Sequence, residues 1–321
     1  MARGWRRTVG TGVGAAGLLA ASVVLAAVPL VPLSWLLGPV LGVEVVTGAR
    51  TGLLAAVVVG PVFSAALGPL LVGRRLTRLP AADLDDRPAA FVEYRVDELA
   101  EAVGVDRPEV VVVEAEAANV AVTDGYRGAT LVVSTRLLSL PADDRDAALR
   151  HALVRLERRE AAFTTAMLPG LVAVETVALL ATLLVGHRDD RSASDRRVNR
   201  IHGYEPEREG IPAPVYAATG VLLWLVLLPA WVPAVVGDQL FVAGQRRAAD
   251  EVVARTGQTE RDGLANAVAF AREAAGAADW PPLLDRLSLV SMADNATGRV
   301  RGSSRQEARV RLARLRSKVS L

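Results

Sequence analysis

Long apolar stretches alternate along this chain with blocks where charge returns at helical or strand spacing. Four apolar runs are long enough to cross a bilayer, which takes about 20 residues. They lie within 8–43, at 51–73, at about 163–186 and at about 213–237. The first exceeds one span and is broken by Pro29 and Pro32. It begins like a signal peptide but lacks a clear A-x-A stop, so it reads as an uncleaved anchor. The second is uncharged and is stopped by Arg74 and Arg75, and the third holds one carboxylate, Glu175. Arg3, Arg6, Arg7, Arg74, Arg75 and Arg78 flank one side, and Arg50 alone lies in the opposite short loop. The positive-inside bias then puts both termini in the cytoplasm and the loop 187–212 outside.

Two polar blocks, 74–162 and 238–321, share the cytoplasmic side. In the first, the pattern predicts a helix over 92–104 and strands at Glu109–Glu114, Asn119–Thr123 and Ala129–Ser134, with Asp124-Gly125 as a turn. A long helix follows from about Pro141, with Asp143, Asp144 and Asp146 complementing its positive end. It is expected to run on towards the third apolar run. The second block is helical over about 240–256, 259–277 and 304–317, with Gly257 closing the first of these.

Composition sharpens the picture. The chain has 321 residues, 51% of them hydrophobic, with a mean hydropathy of +0.30. That is too apolar for an ordinary soluble enzyme. The absence of Cys excludes disulfides and thiolate metal sites. Net charge is +2, and the high pI reflects arginine, since Lys318 is the only lysine. No basic block with interleaved aromatics is present, so nucleic acid is not an expected partner. Arg309, Arg311, Arg314 and Arg316, beside Glu307, read as a solvated helix face, with anionic-lipid contact as the second reading.

Candidate chemistry sits on the helix after Pro141. His151-Ala152-Leu153-Val154-Arg155 keeps the first residue of H-E-x-x-H. That pattern holds zinc through two imidazoles one turn apart and uses its Glu as general base. Here Ala152 stands at the Glu position and Arg155 at the second His position. Glu175 is the second candidate: an ionisable group inside a span faces a bundle interior or a water-filled cavity. It is either a functional proton or ligand site or a protonated carboxyl bonded to a hydroxyl such as Thr176 or Thr182.

The order of these features resembles the HtpX family of membrane zinc metalloproteases, relatives of the CAAX prenyl protease. Ala118-Asn119-Val120-Ala121 resembles that family's N-A-F-A strand. Leu131-Val132-Val133-Ser134 with Leu137-Leu138 is similar to the edge that follows it. Asp143-Asp144, Ala147-Ala148-Leu149-Arg150-His151 and Arg159-Glu160 fit the metal helix and its sequel. Ala249-Asp250 matches the A-D of the helix carrying the third ligand, which puts Arg246 at the ligand position. Asp250 would then support the site. Glu307-Ala308-Arg309-Val310 fits a C-terminal E-x-R-I helix, but Gly302-Ser303-Ser304 stands where T-H-P is usual.

The resemblance implies an α+β membrane protein: four transmembrane helices with a mainly helical, zincin-like cytoplasmic domain carrying a small β-sheet. Residues 1–73 would hold two spans and 74–162 the first half of a peptidase-like domain. Residues 163–237 would hold two further spans around the external loop, and 238–321 the second half. The expected location is the cell membrane, multi-pass, with the peptidase-like domain cytoplasmic. His151 is the one ligand type retained. Guanidinium has no lone pair to give a metal, and Ala152 cannot accept a proton. No zinc or other cofactor is therefore expected, and the function implied is that of a pseudopeptidase with a binding or regulatory role. Its expected partners are the lipid bilayer and membrane or unfolded protein segments. An active zinc metalloendopeptidase in membrane protein quality control, with a site built from other residues, is the alternative. A transporter-like four-span protein is the third reading. If the fold is kept, Arg155 and Arg246 face the same spot. Either they replace the metal as an electrostatic tie to Asp250, Glu157 or Glu160, or both are solvated.

Overall fold

The computed structural model describes residues 45–82, 86–186, 213–273, 280–291 and 304–317, with scattered positions among 12–31. The chain is mostly helical and carries a small mixed three-stranded sheet, an α+β arrangement. Helix α1 is Val45–Leu76 and contains Pro61 and Pro69. Among the described residues one helix, Arg50–Leu76, is long and apolar enough to cross a membrane. It covers the second expected span. The third and fourth expected spans fall on α5 (Glu160–Gly186) and α6 (Ala213–Gly237). The first expected span lies largely outside the described residues, and so does the loop 187–212.

Helix α2, Asp86–Val103, buries Val92, Val96, Leu99 and Ala100, the spacing of one helical face. Gly104, at φ 83°, ends it in the left-handed region that glycine tolerates. Strands β1 (Glu109–Val113), β2 (Val120–Gly125) and β3 (Gly128–Ser134) form a sheet of order β1-β3-β2. β1 runs parallel to β3 and β2 antiparallel to it. The hairpin turn is Tyr126-Arg127, not the expected Asp124-Gly125. Gly125 pairs with Gly128 across the loop, and Gly128 takes φ 115°. The glycine after the turn supplies the positive φ, so Asp124 and Gly125 stay in the strand.

Ser134 caps the short helix α3 (Thr135–Leu138) by accepting from the Leu137 N–H. Helix α4, Ala142–Glu157, starts after Pro141 with Asp143 and Asp144 in its first turn. It does not run on into the apolar helix as expected. Arg159 adopts φ 54°, and α5 begins afresh at Glu160. A single π-turn, Asp238–Val242, leads from α6 into α7 (Ala243–Thr256), and α8 is Gln258–Glu273. A 3₁₀ turn at Pro282–Leu287 and helix α9, Ser304–Arg316, complete the described elements.

The two polar blocks share one core. Val96, Leu131, Leu149 and Leu153 from the first block pack in the same cluster as Val253, Leu264, Leu287 and Leu312 from the second. A smaller cluster around Met167, Leu171, Val174 and Phe241 joins the apolar helices.

Candidate functional site

Three helices each present an i, i+4 pair to one buried point. α4 supplies His151 and Arg155, α7 supplies Arg246 and Asp250, and α9 supplies Glu307 and Arg311. Residues four apart share a helix face, which is why each pair arrives together. Arg155, Arg246 and Arg311 are 1%, 3% and 2% exposed, and His151 is fully buried.

Asp250 is the centre of the charged half. Arg311 grips it with two hydrogen bonds, from Nε to Oδ2 at 2.8 Å and from Nη2 to Oδ1 at 2.7 Å. His151 Nε2 lies 3.3 Å from Asp250 Oδ1 and 3.3 Å from the Arg246 carbonyl. These two nearer neighbours are acceptors, and the donor Arg311 Nη2 stands farther off at 3.5 Å, which favours the imidazole proton on Nε2. Nδ1 then points into the protein with no partner among the described residues. Burial holds the His151 pKa below its ordinary value; Asp250 opposes this, while the charges of Arg311 and Arg155 add to it. Burial alone would raise the Asp250 carboxyl. The charge and hydrogen bonds of Arg311, with the hydrogen bond to His151, outweigh it and hold the group well below the carboxylate range. The same pairing overcomes burial at Arg311 and raises it.

The other two arginines hold backbone. Arg155 donates from Nη1 to the carbonyls of Leu287 at 2.7 Å and Ser288 at 3.3 Å, and from Nη2 to that of Arg286 at 3.0 Å. Arg246 donates from Nη2 to the Asp285 carbonyl at 2.6 Å and from Nε to that of Ser288 at 3.0 Å. Its Nη1 pairs with Glu307 at 3.0 Å. Arg311 Nη1 adds the carbonyl of Leu289. Five consecutive carbonyls, Asp285 to Leu289, thus end on three guanidinium groups. Burial pushes Arg155 down to about 9, which still leaves it charged at neutral pH.

The segment so held also closes the sheet. Ser288 bridges Ala121 on the outer edge of β2, and the Leu289 N–H donates to the Val120 carbonyl at 2.8 Å. Asn119 brackets the next residue: its Nδ2 donates to the Val290 carbonyl at 2.8 Å, and its Oδ1 accepts from the Val290 N–H at 3.2 Å.

These positions answer the sequence expectations one by one. His151, Arg246 and Asp250 do come together, with Arg155 beside them. Ala152 is buried next to His151 and brings no polar group. The expected tie from Arg155 or Arg246 to Asp250, Glu157 or Glu160 is not what forms. Arg311 has already taken Asp250, Glu157 is exposed, and Glu160 accepts from Arg158 at 2.7 Å. Nor are Arg155 and Arg246 solvated; backbone carbonyls take most of their donors, and the one carboxylate in direct contact is Glu307, on Arg246. Glu175 takes an arginine partner, and the side chain of Thr182, one of its two expected threonine partners, lies outside the described residues. The Glu175 carboxylate accepts from Arg286 Nη2 at 2.6 Å, while Thr176 bonds the Val172 carbonyl of its own helix.

Arg311 is the residue that sequence reading missed, since the Arg-rich end reads as a solvated face. Ala308, Arg311, Leu312 and Leu315 are buried, while Arg309, Arg314 and Arg316 are exposed. The spacing of Ala308, Leu312 and Leu315 puts Arg311 on the apolar face, which was the available signal.

The donor set does not fit zinc. His151 has its Nε2 committed to Asp250, and the neighbours at the other two ligand positions are donor-only guanidinium groups. Among the described residues no group of three or more His, Asp or Glu side chains is placed to hold a metal ion. No family model, curated protein or solved structure matches this chain.

Proposed function

We propose that this chain is a membrane-anchored pseudopeptidase of the HtpX type, acting by binding or regulation instead of cleavage. One observation carries the reading. The point where two ligand-bearing helices, α4 and α7, would converge on zinc is filled by guanidinium groups, and these bind carbonyls of the chain itself. Such a site has neither a metal-ligand set nor a general base. The β2 edge, which an extended peptide could join by strand addition, is occupied by Ser288–Val290. Binding of membrane or unfolded segments would therefore use another surface.

The membrane part of the proposal comprises four spans, both termini in the cytoplasm and a cytoplasmic peptidase-like domain. It is supported by the apolar outer face of α1, where Leu54, Val58, Val62 and Phe63 are each more than half exposed. An apolar face of that extent suits lipid. The test is metal analysis of the full chain purified in mild detergent, with a casein-cleavage assay. The proposal expects neither zinc at stoichiometric level nor cleavage. Stoichiometric zinc with chelator-sensitive cleavage would establish an active endopeptidase instead.

A further inference from the structure

The tip of the β2–β3 hairpin takes no part in the cleft. Its loop residues, Tyr126 and Arg127, are both exposed, Tyr126 by 67%. The Tyr126 hydroxyl nevertheless has a fixed partner: it donates to the Ala66 carbonyl of α1 at 2.8 Å. Ala66 lies inside Arg50–Leu76, the stretch able to cross a membrane. A backbone acceptor is available there for a physical reason. A carbonyl oxygen has two lone pairs, so Ala66 can accept from Tyr126 beside the helix's own ladder, which Pro69 interrupts one residue earlier, at the Ala65 carbonyl.

The surroundings of that contact are apolar. Val62 and Phe63 lie one turn before Ala66, and Leu70 and Leu71 one turn after; all four are exposed large hydrophobics. A hairpin tip placed between them sits against the surface that α1 offers to lipid. Ala66 is ten residues from the helix end at Leu76, which is about 15 Å along the axis. The helix Arg50–Leu76, 27 residues and about 40 Å long, exceeds the hydrocarbon layer by about 10 Å, so Ala66 falls near the edge of that layer with Arg74 and Arg75 beyond it. Tyrosine combines an apolar ring with a polar end and concentrates at membrane–water boundaries. An adjacent arginine can lay its stem on the apolar region while its charge reaches phosphate.

We propose that Tyr126-Arg127 is an interfacial anchor. The ring lies at the boundary between headgroups and acyl chains, and Arg127 faces lipid phosphate. The anchor sets the height of the small sheet, and with it the arginine cluster, against the bilayer. This inference rests on the membrane-anchored reading above.

The chain has no cysteine, so single-cysteine variants carry one spin label each. The full chain is reconstituted in nanodiscs of phosphatidylcholine and phosphatidylglycerol with labels at Tyr126→Cys, Arg127→Cys, Phe63→Cys and Glu101→Cys. Arg127→Cys leaves the Tyr126–Ala66 bond intact, so one tip variant keeps the native contact. Power-saturation electron spin resonance then compares collision with oxygen and with a water-soluble nickel chelate. The expected oxygen-to-nickel ratio is highest at 63, lowest at 101 and intermediate at 126 and 127. Ratios at 126 and 127 equal to that at 101, with 63 still in lipid, overturn the anchor and leave the membrane reading standing. A ratio at 63 equal to that at 101 overturns the membrane reading and the anchor with it.

Discussion

Asp250 commits both carboxylate oxygens to one buried partner, and that commitment sets what its loss would do. Asp250→Asn keeps the shape but leaves Arg311 buried without a counter-charge. Breaking one side of a buried pair costs about 3–5 kcal/mol, whereas removing both sides is often close to neutral. The single variant should therefore lower the thermal unfolding midpoint in detergent, and Arg311→Met in the same chain should restore part of the loss. Equal damage from the single and double variants would show that the pair is not the source. His151 yields a second prediction. Its folded pKa is lowered by burial from 6.5, so the unfolded chain binds more protons in mild acid. Stability contributed by the neutral ring is then lost as pH falls below about 6.5. Asp250 adds a further loss only as pH falls through and below its unfolded value of 3.8. Unfolding midpoints measured from pH 7 to pH 5 should fall in the native chain and fall less in His151→Gln. Parallel curves for the two would remove His151 from the account. His151, Arg246 and Asp250 were legible because side-chain motifs mark them. Arg311 was hidden among four arginines, and only the apolar residues around it distinguish its face.

Helices α1 and α5 cross where each lacks a side chain or an amide. Gly68 sits so close to α5 that an added Cβ would lie 2.1 Å from the Thr165 carbonyl oxygen. Pro169, four residues on, has no N–H for that carbonyl. Ser64 completes the contact: its Oγ donates to the Ala166 carbonyl at 2.9 Å and accepts from the Gly170 N–H at 3.4 Å. Small residues and hydroxyls of this kind let apolar helices approach closely. Gly68→Ala must push the two backbones apart, at a cost of about 1–3 kcal/mol. Gly73→Ala on the same helix meets nothing within 4 Å and should be neutral or slightly stabilising. Thermal midpoints of the two variants, measured side by side, check this; equal midpoints would contradict the crossing. Strand alternation and helix-start signals made β1 to β3, α4 and α7 legible within a few residues. The break between α4 and α5 was not, because Arg158-Arg159-Glu160 contains no Gly or Pro to announce it. Arg159 adopts a left-handed conformation that costs about 1–2 kcal/mol, and its N–H still bonds the Leu156 carbonyl at 2.9 Å.

What joins the two polar blocks is backbone, and backbone bonding leaves no motif. None of the residues that carry the family resemblance lies in 258–300, yet residues 280–291 contact five elements, drawn from both polar blocks and the apolar helix α5. The segment bonds the edge of β2, lies on the arginines of α4, α7 and α9, and reaches α5 through Arg286 and Glu175. Trp280, Leu284, Leu287, Leu289 and Val290 bury their side chains in the shared core. The three guanidinium groups therefore act as a cross-link, a structural task that a metal could also perform in such a cleft. Arg155→Met keeps an apolar stem of similar length and removes the donors to the Arg286 and Leu287 carbonyls, while Arg246 still holds that of Ser288. Each carbonyl left unpaired costs about 1–3 kcal/mol. Local opening of the segment should thus become at least about tenfold more frequent. Amide hydrogen exchange reads this at Leu289 and Val290, whose N–H groups bond Val120 and Asn119. The amides that join β1 to β3 should keep their protection. A lysine at 155 should not rescue the segment, because one ammonium cannot reproduce the planar fork that spans Arg286, Leu287 and Ser288. Exchange that rises equally across the sheet, or nowhere, would mean that Arg155 does not hold this segment in place.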